Sequence, residues 1–178
     1  LWHNNIPTSI YVGVSAGNGT STTGQDNTLV GYQSGGSLTS SNQNTYVGYQ
    51  SGKTHSAYND PSDPGNVAIG YQAMYSNTNL VMNTAVGYQA LYTSSTCSGC
   101  FANWSLNTAV GHQALYSSQA YGGTALGFRA AYSNTLGCGT IAIGEESMHD
   151  NTIGNYNVAI GLSAMHNNTE LGQNVAIG

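Results

Sequence analysis

Short words of alternating apolar and small residues, separated by longer polar tracts, run through the whole chain. In Asn66-Val67-Ala68-Ile69-Gly70 the side chains alternate with period two, and the arrangement returns at 83–87, 107–111, 157–161 and 174–178. Period two is the signature of a strand, because successive strand side chains point to opposite faces. Helix is disfavoured, since no apolar stripe at spacings of three and four survives the Ser, Thr, Asn and Gly tracts between the words. The closing glycines are Gly13, Gly31, Gly48, Gly70, Gly87, Gly111, Gly127, Gly144, Gly161 and Gly178, at spacings of 18, 17, 22, 17, 24, 16, 17, 17 and 17. A base period of 17 with two insertions, at 55–65 and 95–105, is a repeat architecture. One period is too short to bury a face alone, whereas stacked coils bury a continuous one. The pattern predicts an all-β, parallel β-solenoid of about ten coils of about 17 residues, one segment spanning residues 1–178.

Stacking turns each repeat position into a column. Val30, Val47, Ile69, Val86, Val110, Leu126, Ile143, Ile160 and Ile177 are expected to form the main buried stack. Met74, Leu91, Leu115, Ala131, Met148 and Met165 would face it from a second short strand, such as residues 89–92. Alternation then puts the small column Ala68, Ala85, Ala109, Ala125, Ala142, Ala159 and Ala176 outside, where another chain can approach closely. Asn27, Asn44, Asn66, Asn83, Asn107, Asn157 and Asn174 would bond their amides to the coils above and below.

The words Asn157-Val158-Ala159-Ile160-Gly161 and Asn174-Val175-Ala176-Ile177-Gly178 resemble the Asn-Ser-Val-Ala-Ile-Gly word of trimeric autotransporter adhesin heads. With the Tyr-Gln-Ala extension they are also similar to repeats of phage, giant-virus and bacterial surface fibres. The resemblance implies a left-handed β-roll, three chains side by side and a role in surface attachment. The period of 17 is longer than is usual in those heads.

Charge narrows the partners. Only 5% of residues are charged, against about 25% in ordinary domains, and the net charge is −5 with Lys53 and Arg129 the sole positive residues. Nucleic acid needs clustered Lys and Arg, and a membrane surface needs a basic amphipathic stretch, so neither is an expected partner. No run approaches the roughly 18 apolar residues of a membrane-spanning helix, and the start lacks a signal-peptide pattern.

Candidate chemistry is sparse. Glu145-Glu146 replaces the usual Tyr-Gln one coil after Phe128-Arg129, so the register pairs Arg129 with Glu146 as an interlayer ion pair. A catalytic carboxyl pair is disfavoured, because adjacent strand residues point to opposite faces. His112 takes a Tyr place, and His149 and His166 continue the column Tyr75, Tyr92, Tyr116 and Tyr132, so an aromatic column is favoured over a metal shared between the two histidines. No catalytic residue, metal or cofactor is expected. Cys97, Cys100 and Cys138 are disulfide candidates: Cys97 with Cys100 closes the second insertion, while the rival pairing joins Cys138 to one of them. Asn18, Asn103 and Asn167 head glycosylation sequons. Tyr32, Tyr49, Tyr71 and Tyr88 make a ladder beside Gln33, Gln50, Gln72 and Gln89, for which packing between coils or chains is favoured over stacking on surface glycans.

These readings converge on a non-enzymatic fibre segment, a rigid shaft on a cell or virion exterior that self-associates as a homotrimer or filament. The sequence stops inside a repeat word and starts without a cap, which suggests a piece of a longer chain or a stacking unit. An ice-binding solenoid is the alternative, on the strength of Thr28, Thr45, Thr84, Thr108 and Thr124. Val67, Ile141, Val158 and Val175 interrupt that column. A polysaccharide-degrading β-helix would need a clustered acidic and basic set that the sequence does not offer.

Overall fold

A computed structural model describes residues 8–18, 24–55, 65–78, 81–95 and 105–178. The chain winds as a parallel β-solenoid. Its strands are β1 (Ile10–Val12), β2 (Thr28–Val30), β3 (Thr45–Val47), β4 (Val67–Ile69), β5 (Ser76–Asn77), β6 (Thr84–Val86) and β7 (Thr93–Ser94). They continue as β8 (Thr108–Val110), β9 (Ser117–Ser118), β10 (Thr124–Leu126), β11 (Ile141–Ile143), β12 (Val158–Ile160) and β13 (Val175–Ile177). Ten of them form one parallel sheet in the order β1-β2-β3-β4-β6-β8-β10-β11-β12-β13, and β5, β7 and β9 form a second, narrow one. The register sets each word over the next, with Val67 opposite Thr84, Ala68 opposite Ala85 and Ile69 opposite Val86. About eight turns are wound rather than ten. The second strand lies beyond the expected 89–92, at Thr93–Ser94, because residues 87–91 are spent on a tight turn.

The register is as expected, but the inside and outside of the sheet are reversed. Ala68, Ala85, Ala109, Ala125, Ala142 and Ala159 are fully buried, whereas Ile69 is 40% and Val110 37% exposed. The stack expected in the core, Val30, Val47, Ile69, Val86, Val110, Leu126, Ile143, Ile160 and Ile177, lies on the outer face, half-buried or exposed. The physical reason is the width of the coil. Met74, Leu91, Leu115 and Met148 are fully buried and already fill the interior from the opposite wall, which leaves room for only a methyl group on the sheet side.

Three early coils satisfy the same volume in the opposite way. There the inward strand position carries Tyr11, Leu29 or Tyr46, and the opposing position carries Gly17, Gly35 or Gly52. A methyl group on Gly35 would lie 2.9 Å from Leu29 Cδ1, and one on Gly52 would lie 2.8 Å from Tyr46 Cζ. Large opposite Gly and Ala opposite Met or Leu are two solutions to one packing constraint.

Tyr46 is fully buried, and its hydroxyl lies 2.9 Å from Asn44 Oδ1 and 2.8 Å from Nδ1 of the buried His55. The network closes when the hydroxyl donates to Asn44 and His55 Nδ1–H donates to the hydroxyl. Burial pushes the phenol far above its ordinary ionisation range. A raised folded value means that this stability is intact below the unfolded tyrosine pKa of about 10 and is lost as pH climbs past it. Alkaline titration is therefore expected to show a last phenolate step that coincides with loss of the β-sheet circular-dichroism signal. A phenolate titration that finishes while the sheet is intact would contradict this.

Polar ladders occupy the corners. Asn44 N–H donates to Asn27 Oδ1 at 2.9 Å, Asn66 N–H to Asn44 Oδ1 at 2.9 Å, and Asn83 N–H to Asn66 Oδ1 at 3.0 Å. Each side-chain carbonyl thus satisfies a buried backbone donor of the next coil. Where Gly123 replaces Asn, its N–H still reaches Asn107 Oδ1 at 2.7 Å. A second inner amide set, Asn134, Asn151 and Asn168, bonds through Asn151 Nδ2 to Asn134 Oδ1 at 2.9 Å and Asn168 Nδ2 to Asn151 Oδ1 at 3.1 Å.

Candidate functional site

The turn that follows each glycine sets the surface chemistry. Its residue two after the glycine is left-handed in every coil, as in Gln72 (φ 51°), and so is its residue four after, as in Met74 (φ 52°). Non-glycine residues visit this region sparingly, so a repeated occurrence marks a turn that tertiary contacts impose. The alternation sends the residue one after the glycine outward, tips the next along the surface, and drives the fourth into the core.

Outward residues form an exposed aromatic ladder. Tyr32 stacks on Tyr49 with centroids 5.1 Å apart, Tyr49 on Tyr71 at 5.2 Å, Tyr71 on Tyr88 at 5.1 Å, Tyr88 on His112 at 4.8 Å and His112 on Phe128 at 5.2 Å. A second, half-buried ladder runs Tyr75, Tyr92, Tyr116, Tyr132, His149 and His166 with spacings of 5.0 to 5.1 Å. The rings face one another along the stack, so every ring inside a ladder has both faces covered by its neighbours. Along the stacks only ring edges and hydroxyls are presented, which leaves no inner face for a sugar ring to stack upon.

Between the ladders runs a column of glutamines. Gln50 Nε2 donates to Gln33 Oε1 at 2.8 Å, Gln72 to Gln50 at 2.9 Å, Gln89 to Gln72 at 3.0 Å and Gln113 to Gln89 at 3.0 Å. Arg129 ends the column by donating from Nε to Gln113 Oε1 at 3.2 Å. Its guanidinium lies 5.0 Å from the Phe128 ring and 5.7 Å from the Tyr132 ring, so it touches both ladders at once. The interlayer pair expected between Arg129 and Glu146 does not form: among the described residues, Arg129 has no carboxylate within ion-pair distance. It leans back over the rings to continue the amide ladder, and Glu146 Oε2 lies instead 3.7 Å from His166 Nε2.

The remaining candidates are dispersed. His149 Nδ1 meets Asp150 Oδ1 at 2.6 Å and stacks on His166 at 5.0 Å. Among the described residues no three His, Cys, Asp or Glu side chains gather as a metal-holding group. Asn18 and Asn167 are exposed, while Asn103 lies outside the described residues. Cys138 is half-buried in a turn, its N–H held by Asn155 Oδ1 at 2.8 Å. Cys97 and Cys100 lie outside the described residues, so both pairings stand as the sequence leaves them. Burial also raises the phenol pKa values of Tyr92 and Tyr116, each helped by neighbouring tyrosines of both ladders.

The outer face of the long sheet is the other extended feature. Every rung presents two outward residues, one Thr, Val or Ile and one Val, Ile or Leu, as in Thr84 and Val86 or Ile141 and Ile143. Comparison with family models, curated proteins and solved structures finds no match for this chain.

Proposed function

We propose that the chain is a non-enzymatic shaft segment of an extracellular fibre, on a cell or virion surface, that associates with copies of itself through the outer face of the long sheet. The observation that carries this reading is the pair of mainly β-branched columns on that face, half-buried or exposed over ten rungs, while alanine holds the inward position from β4 onward. A continuous apolar band is a poor surface for a lone chain. A second copy has the same rise, so its ridges and grooves match along the whole length, and closed symmetry makes the contact self-limiting. The resemblance to trimeric adhesin heads supports three chains around this face, and the low charge and exposed sequon residues Asn18 and Asn167 support an external setting.

Sedimentation equilibrium tests the reading. The chain is expected at a multiple of 18.5 kDa. Val86→Lys with Leu126→Lys, both on the outer face, is expected to keep the fold and weaken association at least about a hundredfold, since an unpaired buried charge costs about 3 kcal/mol or more. A wild-type chain that stays at 18.5 kDa at high concentration, or variants that assemble unchanged, would contradict it.

Ice binding is kept as the second reading by one observation. Thr28, Thr45, Thr84, Thr108 and Thr124 all lie on the outer face of the long sheet. Thermal hysteresis in purified single chains would favour it, and its absence would remove it.

A further inference from the structure

The half-buried ladder contains an unbroken run of phenols. Tyr75, Tyr92, Tyr116 and Tyr132 follow one another with ring centroids 5.1, 5.0 and 5.0 Å apart and interplanar angles of 8°, 2° and 9°. Each ring thus presents its π face to the next, the arrangement in which neighbouring rings couple electronically. Phenol gives up an electron far more readily than benzene or imidazole, so the run is a continuous series of redox-active groups. At the coils of Tyr116 and Tyr132 the exposed ladder carries His112 and Phe128 instead, and the ring stacked beyond Tyr132 is His149. An electron vacancy on Tyr132 therefore has one stacked phenol neighbour, Tyr116.

Charge gives the run a direction. The Arg129 guanidinium lies over the Tyr132 ring at 5.7 Å, and a positive charge at a ring face makes removal of an electron from that ring harder. The Lys53 ammonium does the same at the opposite end, 5.3 Å from the Tyr75 ring centroid and 3.4 Å from its hydroxyl. On the far side of Tyr132, the Asp150 carboxylate is taken up by His149 at 2.6 Å. Tyr92 and Tyr116 lie between the two cations, each with a phenol ring on both faces over which a vacancy can spread. Burial keeps both of these phenols protonated, so oxidation of either releases a proton along with the electron.

We infer that the half-buried ladder is a redox relay that collects a one-electron vacancy from its end rings and holds it on Tyr116 and Tyr92. Its co-substrate is an outer-sphere one-electron oxidant, such as a peroxyl radical or a high-valent metal complex. In the first step Tyr132 loses an electron to the oxidant and its phenol proton to water, and becomes a phenoxyl radical. In each later step the radical ring takes an electron through the stack and a proton from water, while the next phenol loses one of each. The net reaction reduces one oxidant, releases one proton and leaves one phenoxyl radical in the middle of the ladder. The relay runs along the turns and is independent of self-association through the sheet face.

Flash photolysis tests it. A ruthenium polypyridyl sensitiser is attached at Ser133→Cys, beside Tyr132, in a background with the native cysteines replaced by serine. A cobalt(III) complex takes the photoexcited electron irreversibly, and the ruthenium(III) so formed is the oxidant. A nitroso spin trap marks the radical for mass spectrometry, in dilute single chains. Adducts are expected mainly on Tyr116 and Tyr92, with at least about fivefold less on Tyr132. Tyr116→Phe keeps a ring in the stack but removes the redox-active step. It is expected to lower the Tyr92 adduct at least about tenfold and leave the radical on Tyr132, with the melting temperature unchanged. Tyr88→Phe, in the exposed ladder, is expected to change the Tyr92 adduct less than about twofold. Adducts confined to Tyr132 in the parent chain, or an undiminished Tyr92 adduct in the Tyr116→Phe chain, would overturn the inference.

Discussion

Replacing Gly87 by alanine is expected to destabilise the chain by about 4 kcal/mol, a large share of the 5–15 kcal/mol that holds an ordinary domain together. Gly87 has φ 137°, a conformation that L side chains rarely adopt and that costs about 1–3 kcal/mol to enforce. A methyl group there would also meet the Gly111 carbonyl, with the Gly111 carbon only 2.8 Å away. That atom is backbone inside the ladder and cannot step aside, because Gly111 N–H is itself bonded to Val86 O at 2.9 Å. Each coil relies on its neighbours, so loss of one weakens the coils on both sides. Gly122 supplies the control. It has φ 68° with open space around it, and other coils place Asp26, Met82 and Leu106 in the same conformation at this position. Gly122→Ala is expected to cost about 1 kcal/mol. Urea denaturation followed by circular dichroism separates the two, and equal effects would refute the close approach of glycine backbones.

The second large effect is a rescue. Tyr46→Ala opens a cavity against Gly52 and removes the hydroxyl from Asn44 and His55, at an expected cost of about 3–5 kcal/mol. Gly52→Met alone drives a side chain into the Tyr46 ring and is expected to cost about 3 kcal/mol. Together the two changes recreate the arrangement of the next coil, where Ala68 faces Met74. Gly52 (φ 58°) and Met74 (φ 52°) share a backbone conformation, so the new side chain enters without strain. The double variant is expected to recover at least about 2 kcal/mol relative to the sum of the single changes. Additive losses in a double-mutant cycle by urea unfolding would mean that the two positions do not share one volume.

This compensation also marks where the sequence was legible and where it was not. Period, the strands of the long sheet, the asparagine ladder and the buried Met/Leu column all follow from the repeated words, because register stacks like upon like, whereas the short second strand lies beyond its expected place. The alternation in Val67-Ala68-Ile69 says that alanine and isoleucine face opposite ways, but it does not say which side is inside. The larger residue is the usual core candidate, and here that preference fails because Met74 already fills the narrow interior. A signal for the correct choice was present. Tyr11, Leu29 and Tyr46 pair with Gly17, Gly35 and Gly52, while Ala68 and Ala85 pair with Met74 and Leu91, an exchange of volumes that only residues sharing a core would need. The Arg129–Glu146 pairing failed for another reason: stacking fixes which rung is adjacent but not whether a long side chain turns forward or back. The buried Tyr46–His55 contact joins a strand to the far end of its own coil, and no column reveals it.

Whether alanine or the β-branched columns form the interior is decided most directly by thiol protection at two adjacent positions. In a background with the native cysteines replaced by serine, Ala85→Cys and Val86→Cys are labelled with a maleimide and followed by mass, at concentrations on either side of assembly. Ala85→Cys is expected to stay unmodified until the coils unfold at every concentration. Val86→Cys is expected to react readily when dilute and to become protected as chains assemble. Rapid labelling at position 85, with position 86 protected even in dilute single chains, would contradict the account.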